Sequence, residues 1–202
     1  VAVMDHLDGV DETARQIGAV NTVTLREGAL VGSNTDWLGA VRALERIRNR
    51  DGKLAGSRAV VLGAGGAARA VVYGLLERGA RVTVLNRTEP RARALADSLG
   101  AEASGGLADL ADLDHDVLVN TTSVGLREDV SPVPAEALRS GTLVLDTVYD
   151  PPRTRLLQDA EARGAVTVGG KWMLVYQAAE QLQTWSGRDA PVDVMEKAFD
   201  AF

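Results

Sequence analysis

The chain has 202 residues, 46% apolar and 25% charged, an ordinary globular composition with enough length for one large or two small cores. Its net charge of −6 argues against a general nucleic-acid binder, so any anionic ligand must be held by local cations. The lack of cysteine excludes a disulfide framework, a thiolate metal site and a cysteine nucleophile, and it fits a reducing, cytoplasmic setting.

In chain order, residues 2–8 and 11–17 predict short helices. The run 19–36, AVNTVTLREGALVGSNTD, predicts two strands around a turn at Glu27-Gly28. A helix follows from Thr35 or Asp36, with Trp37, Val41, Leu44 and Ile47 at helical spacing and Asn34 or Thr35 as its cap. The polar stretch 48–57 predicts a linker. From Arg58 strands and helices alternate: strands at 58–63, 81–86, 116–122, 142–148 and 165–170, helices at 67–78, 90–99 and 153–163. Apolar strands separated by helices predict an α/β fold, a Rossmann-like doubly wound parallel sheet covered on both faces. Two more helices are predicted at 171–186 and 191–201.

The segment 59–76, AVVLGAGGAARAVVYGLL, is nearly long enough to span a membrane, but Arg69 sits mid-segment and the glycines cluster at one point. Strand, turn and helix is the better reading. Gly63-Ala64-Gly65-Gly66-Ala67-Ala68 fits G-x-G-x-x-A. In that pattern the first glycine makes the tight turn, the second lets a pyrophosphate approach the backbone, and the closing alanine lets helix and strand pack closely. The helix N-terminus then offers free N–H groups to the phosphates.

Residue 86 lies 23 positions after Gly63, where an NAD-binding unit carries an acid for the ribose hydroxyl. Asn86, Arg87 and Thr88 stand there instead, with Arg91 one helical turn on. A carboxylate would repel a 2′-phosphate, whereas the planar guanidinium of Arg87 would bind one bidentately. The cluster therefore predicts NADP, against the alternative that Arg87, Arg91 and Arg93 form a solvated helix face.

Seven short motifs stand in one order: GAVNT (18–22), GSNTDWLG (32–39), GAGGAARA (63–70), NRT (86–88), NTTSVGL (120–126), DTVYDPPRTRLL (146–157) and GGKWMLVYQAAEQLQTWSG (169–187). The series resembles the shikimate dehydrogenases over essentially the whole chain, and related quinate dehydrogenases share most of it. The resemblance implies a cytoplasmic NADP-dependent oxidoreductase. It would move a hydride between C4 of the nicotinamide and C3 of shikimate or 3-dehydroshikimate, a step of chorismate and aromatic amino acid biosynthesis. It further implies that Asn21, Asp36, Tyr149 and Gln177 bind the substrate, with Asp36 also catalytic. Gly63, Ala64, Gly65, Gly66 and Ala67 would hold the pyrophosphate, and Asn86, Arg87, Thr88 and Arg91 the 2′-phosphate. Thr147 and Gly170 would lie near the nicotinamide.

These residue types suit the chemistry, since short rigid groups such as Asn, Asp and Gln recognise a polyol and reject analogues lacking a hydroxyl. Asp36 at a helix N-terminus is expected to favour its ionised form. Trp37, Trp172 and Trp185 are expected in the core, and His6 and His115 at the surface, with no metal site.

The resemblance also implies a catalytic lysine in a PHK-type motif just before the first helix and carboxylate-binding serines further upstream. None of Lys53, Lys171 and Lys197 stands in such a motif. The sequence is therefore read as an N-terminally truncated, poorly active form. Residues 1–36 would be a remnant of the substrate-binding domain, 37–170 the NADP-binding domain, and 171–202 helices packing back on the substrate domain. A non-catalytic NADP-binding module and a quinate dehydrogenase are the alternatives. The expected partner is a small molecule, with no nucleic acid or membrane, and a homodimer is considered.

Overall fold

The computed structural model describes residues 2–48 and 54–201. Residues 49–53 of the expected linker, Lys53 among them, lie outside the described residues.

The first part is a three-stranded sheet. Its strands are β1 (Gly9–Val10), β2 (Thr22–Arg26) and β3 (Ala29–Ser33), ordered β1-β3-β2. The predicted hairpin forms, with Arg26 opposite Ala29 and both turn residues at positive φ, Glu27 at 49° and Gly28 at 85°. That pair of left-handed residues matches the twist of the flanking strands. The first predicted helix is a 3₁₀ turn, Ala2–His6, followed by β1, which pairs parallel to β3. Two residues carry no alternation, so sequence could not show this strand. Helix α1 (Glu12–Ile17) is capped by Asp11, whose side chain accepts from the Ala14 N–H at 2.6 Å, and ends on Gly18 at φ 71°.

Helix α2 (Asp36–Arg48) leads out of this sheet. Val41 and Leu44 are fully buried, while Ile47, expected on the same face, is exposed near the helix end. The second part is a six-stranded parallel sheet, ordered β6-β5-β4-β7-β8-β9. Its members are β4 (Arg58–Leu62), β5 (Arg81–Leu85), β6 (Ala103–Gly105), β7 (Val117–Asn120), β8 (Leu143–Asp146) and β9 (Val166–Val168). β6 was not expected: Ala-Ser-Gly has no strand preference, and only pairing with β5 makes it the sheet edge. Helices α3 (Gly66–Glu77), α4 (Glu89–Leu99), α5 (Arg155–Ala162), α6 (Lys171–Ser186) and α7 (Val192–Asp200) complete the chain.

The strands read as continuous apolar runs because both faces are covered. In β4, Ala59 and Val61 join the core beneath α2, α3 and α4, while Val60 and Leu62 join the core beneath α5. Strand order reverses between β4 and β7, so the carboxyl ends of these strands open a crevice at the switch point. α6 packs closely on α2: a Cβ added at Gly39 would lie 2.6 Å from the Met173 carbonyl oxygen. That approach brings the face of α6 bearing Gln177 to the N-terminal end of α2.

Two aromatic and imidazole expectations are corrected. Trp185 is 57% exposed, near the end of α6, where its indole N–H donates to the Val23 carbonyl at 3.2 Å. His115 is only 5% exposed, packed before β7 with Nδ1 against the Leu113 carbonyl at 2.9 Å. Burial holds its pKa below the usual imidazole value. Polar neighbours in sequence, Asp114 and Asp116, hid this. Trp37 meets Tyr73 edge-on, and Trp172 lies under the Arg46 guanidinium, 3.6 Å from ring centre to Cζ.

Candidate active site

The glycine turn joins β4 to α3. Gly63 has φ 114°, and a Cβ there would fall 2.5 Å from Thr121 Oγ1, so only glycine fits. Its N–H donates to the Leu85 carbonyl at 2.8 Å. Gly65 is the N-cap of α3, and a Cβ on Gly65 or Gly66 would meet nothing within 4 Å. Open space therefore faces the free N–H groups of the α3 N-terminus, the cradle a pyrophosphate requires. Ala68 is fully buried where α3 meets the sheet. Ala64 and Ala67 are half-buried beside the turn.

At the end of β5, the Asn86 N–H donates to the Gly105 carbonyl at 3.1 Å, and its side-chain amide donates to the Thr88 carbonyl at 3.0 Å. This small closed turn presents Arg87 outward. Thr88 is the N-cap of α4 without a side-chain cap bond, so its hydroxyl is available to a ligand. Arg87 and Arg91 are exposed and form no ion pair among the described residues. Arg93, two positions beyond Arg91 on the helix, borders a separate shallow depression with Glu89 and Asp97.

A cleft of about 310 Å³ lies between the two sheets, lined by Asn21, Asp36, Ala67, Thr147, Tyr149, Gly170, Met173, Leu174, Gln177 and Gln181. It brings together all four expected substrate residues, both expected nicotinamide residues, and Ala67 of the phosphate turn. Asn21 is the hub of its polar wall. Its amide nitrogen donates to Asp36 Oδ1 at 2.7 Å and Thr35 Oγ1 at 3.1 Å, and its Oδ1 accepts the Thr35 N–H at 2.9 Å and the Thr22 hydroxyl at 2.7 Å. Gln177 Oε1 lies 3.5 Å from the same amide. Asn21 is thus fixed in rotamer, with one direction of its amide identified by its partners.

Asp36 differs from expectation. Its position at the start of α2 favours the anion, but burial dominates and pushes its pKa above the ordinary carboxylate value, with the Asn21 hydrogen bond opposing. Sequence showed the helix terminus and not the walls that close over it. Gln181 and Met173 were missed as lining residues. Each lies four positions from Gln177, so helical periodicity placed them on its face. Gln181 donates to the Thr22 hydroxyl at 3.1 Å.

The far wall is held by a buried carboxylate. Asp146 Oδ1 accepts from the Asn120 amide at 2.9 Å and the Val148 N–H at 3.0 Å, and Oδ2 accepts the Thr154 hydroxyl at 2.6 Å. These bonds fix the loop carrying Thr147 and Tyr149. Gly170 abuts that loop so closely that a Cβ would lie 2.5 Å from the Thr147 carbonyl oxygen. Tyr149 is 46% exposed and meets Phe199 of α7 edge-on, ring centres 6.4 Å apart. Lys171 is tied to Glu196 at 3.3 Å and Asp200 at 2.7 Å and does not line the cleft. Among the described residues no group of three or more His, Asp and Glu could hold a metal ion, and no helix is long and apolar enough to cross a membrane.

A doubly wound sheet with a glycine turn at its switch point, an arginine pair at the second strand and a polar cleft beside the turn defines a nucleotide-dependent oxidoreductase. Comparison narrows the class. Residues 45–126 match the family described as shikimate / quinate 5-dehydrogenase, and residues 170–198 match the shikimate 5′-dehydrogenase C-terminal domain. Shikimate dehydrogenase (NADP⁺) of Haloarcula marismortui is 54% identical over 195 residues, covering 95% of this chain and 72% of the relative. The crystal structure of shikimate 5-dehydrogenase from Thermus thermophilus with NADP(H) and shikimate superposes with a TM-score of 0.90 at 41% identity, covering 99% of this chain and 74% of that one. Quinate dehydrogenase from Corynebacterium glutamicum with NAD superposes at 0.89 with 33% identity, over 100% and 74%. The chain belongs to the shikimate dehydrogenase family, and the curated relatives from Haloarcula marismortui and Halorubrum lacusprofundi are shikimate dehydrogenases (NADP⁺).

Proposed function

We propose that the protein interconverts 3-dehydroshikimate and shikimate with NADP, in the cytoplasm. The observation that carries this reading is the single cleft in which Asn21, Asp36 and Gln177 face Ala67, Thr147 and Gly170, so that a polyol pocket opens beside the phosphate turn. Relatives 54%, 49% and 47% identical to this chain are named for shikimate and NADP⁺, which favours shikimate over quinate.

In this reading the first 36 residues belong to the substrate side, 37–170 to the cofactor side, and 171–202 to both, through α6. Gly63 to Ala67 hold the pyrophosphate, and Asn86, Arg87, Thr88 and Arg91 the 2′-phosphate. When bound, NADP accepts the hydride that leaves the alcohol carbon. Asn21 and Gln177 orient the ring hydroxyls. Asp36, kept in place by Asn21, accepts a hydrogen bond from the reacting hydroxyl and takes up its proton as the carbonyl forms, passing it to solvent through the open cleft. Thr147 and Gly170 shape the nicotinamide side, and Tyr149 covers the outer edge.

The cofactor half has its own test. Arg87→Ala is expected to weaken NADP at least tenfold and leave NAD affinity within about twofold, because only the 2′-phosphate meets the guanidinium. Calorimetric titration of both cofactors reads this directly. Equal losses for NADP and NAD would return Arg87 to a solvated helix face.

A further inference from the structure

The guanidinium of Arg69 sits where three elements meet, outside the cleft. Its Nε donates to the Ile17 carbonyl at 2.5 Å, and Nη2 lies 3.4 Å from the Ser98 hydroxyl of α4. Gly18 ends α1 in the left-handed region, its N–H donating back to the Ala14 and Arg15 carbonyls at 2.9 and 3.2 Å. That turn leaves the Ile17 carbonyl to an outside donor, and a cation at a helix C-terminus is favourable. The fit is close: a Cβ on Gly18 would lie 2.6 Å from Arg69 Nη2. Beneath the contact Ile17, Ala19 and Ala70 form a small buried core, with Trp37 and Tyr73 packed on it.

We infer that Arg69 is a positioning residue that sets the spacing between substrate and cofactor. The inference rests on the function proposed above. Arg69 lies four residues after Gly65, one turn into the helix whose N-terminus faces the pyrophosphate space. Its partner carbonyl lies four residues before Asn21, the hub that holds Asp36. Nη2 also approaches Ser98 in the last turn of α4, at the opposite end of that helix from Thr88 and the arginine pair. The fork therefore links the segment that leads into the substrate hub to the helix whose N-terminus faces the pyrophosphate space. Trp37, next to Asp36 on α2, packs edge-on against Tyr73 of α3, an apolar contact that resists separation, and the planar fork adds a directional restraint at the α1 end. Because misplacement of about 1 Å can cost about 10²-fold in rate, loss of the fork should appear in turnover before it appears in binding.

The test uses Arg69→Met and Arg69→Lys in the enzyme expressed from its whole reading frame, with kcat and KM for shikimate, calorimetric NADP affinity and melting temperature measured for each. Arg69→Met is expected to lower kcat about 10–100-fold while NADP affinity stays within about threefold. Arg69→Lys should recover part of the rate, since an ammonium reaches the Ile17 carbonyl but cannot span to Ser98 as well. An Arg69→Met enzyme with wild-type kcat overturns the inference, as does a variant in which kcat and NADP affinity fall together. If Arg69→Met does not fold, Arg69→Lys decides: a lowered kcat with unchanged NADP affinity supports the role, and an unchanged kcat overturns it. A wild-type enzyme with no shikimate turnover would instead overturn the proposed function itself.

Discussion

Asp36→Asn is expected to lower shikimate turnover by about 10²–10⁴, the range that a positioned acid–base group supplies, while NADP binding changes little. The amide can still accept from Asn21, so the site should keep its shape. It cannot carry the negative charge that favours proton loss from the reacting hydroxyl. The stability effect has the opposite sign. Burial raises the folded-state pKa of Asp36 above its ordinary value of 3.8. A carboxylate raised in this way contributes stability below its unfolded pKa and loses that contribution as pH rises through the folded value. At neutral pH the ionised Asp36 is therefore a net cost to folding, and Asp36→Asn should melt at the same temperature or higher. A residue serving only as an N-terminal helix acid would show the reverse, normal turnover and a lower melting temperature. The acid side adds a third reading. Wild-type turnover should begin to fall with decreasing pH at a higher pH than a free aspartate would dictate.

The second large effect is expected at Gly65. A Cβ there meets nothing within 4 Å, and its φ of −93° suits any residue. Gly65→Val should therefore fold and melt like the wild type without cofactor. The branched side chain then occupies the space in front of the α3 N-terminus that the pyrophosphate needs, so NADP affinity should fall at least 100-fold. Because a ligand at 100 times its Kd stabilises by about 2.7 kcal/mol, the rise in melting temperature on adding NADP should vanish with it. Gly63 would not separate these effects. Its φ of 114° and its contact with Thr121 mean that a side chain there disturbs the fold before any ligand arrives. An intact thermal shift with NADP in Gly65→Val would remove the phosphate turn from the account.

Much of this was legible in the sequence where local chemistry decides the outcome. The glycine turn sits between β4 and α3 because strand, tight turn and helix are all encoded within about 20 residues. Asn86-Arg87-Thr88 lies at the end of β5 as its spacing from Gly63 required. Asn21 and Asp36 meet because the hairpin between them returns the chain on itself, with Thr22 opposite Ser33. What escaped was set by distant neighbours. β6 exists only through pairing with β5, and β1 only through β3. His115 is buried by packing that its acidic neighbours do not reveal, and Trp185 stays at the surface although its residue type suggested the core. The charge preference of Asp36 was misjudged for the same reason, since the burial that dominates it is set by tertiary packing and not by the helix terminus. The helical remainder of the site was readable in principle: Gln181 follows Gln177 by four residues on a helix that was foreseen.

The most direct measurement is the initial rate of cofactor reduction by the enzyme expressed from its whole reading frame, with shikimate and quinate each paired with NADP and NAD. The account predicts that shikimate with NADP has the highest kcat/KM of the four pairs, and that Asp36→Asn abolishes most of that rate. Absence of shikimate-dependent NADPH formation, or a higher kcat/KM for quinate with NAD, would contradict it.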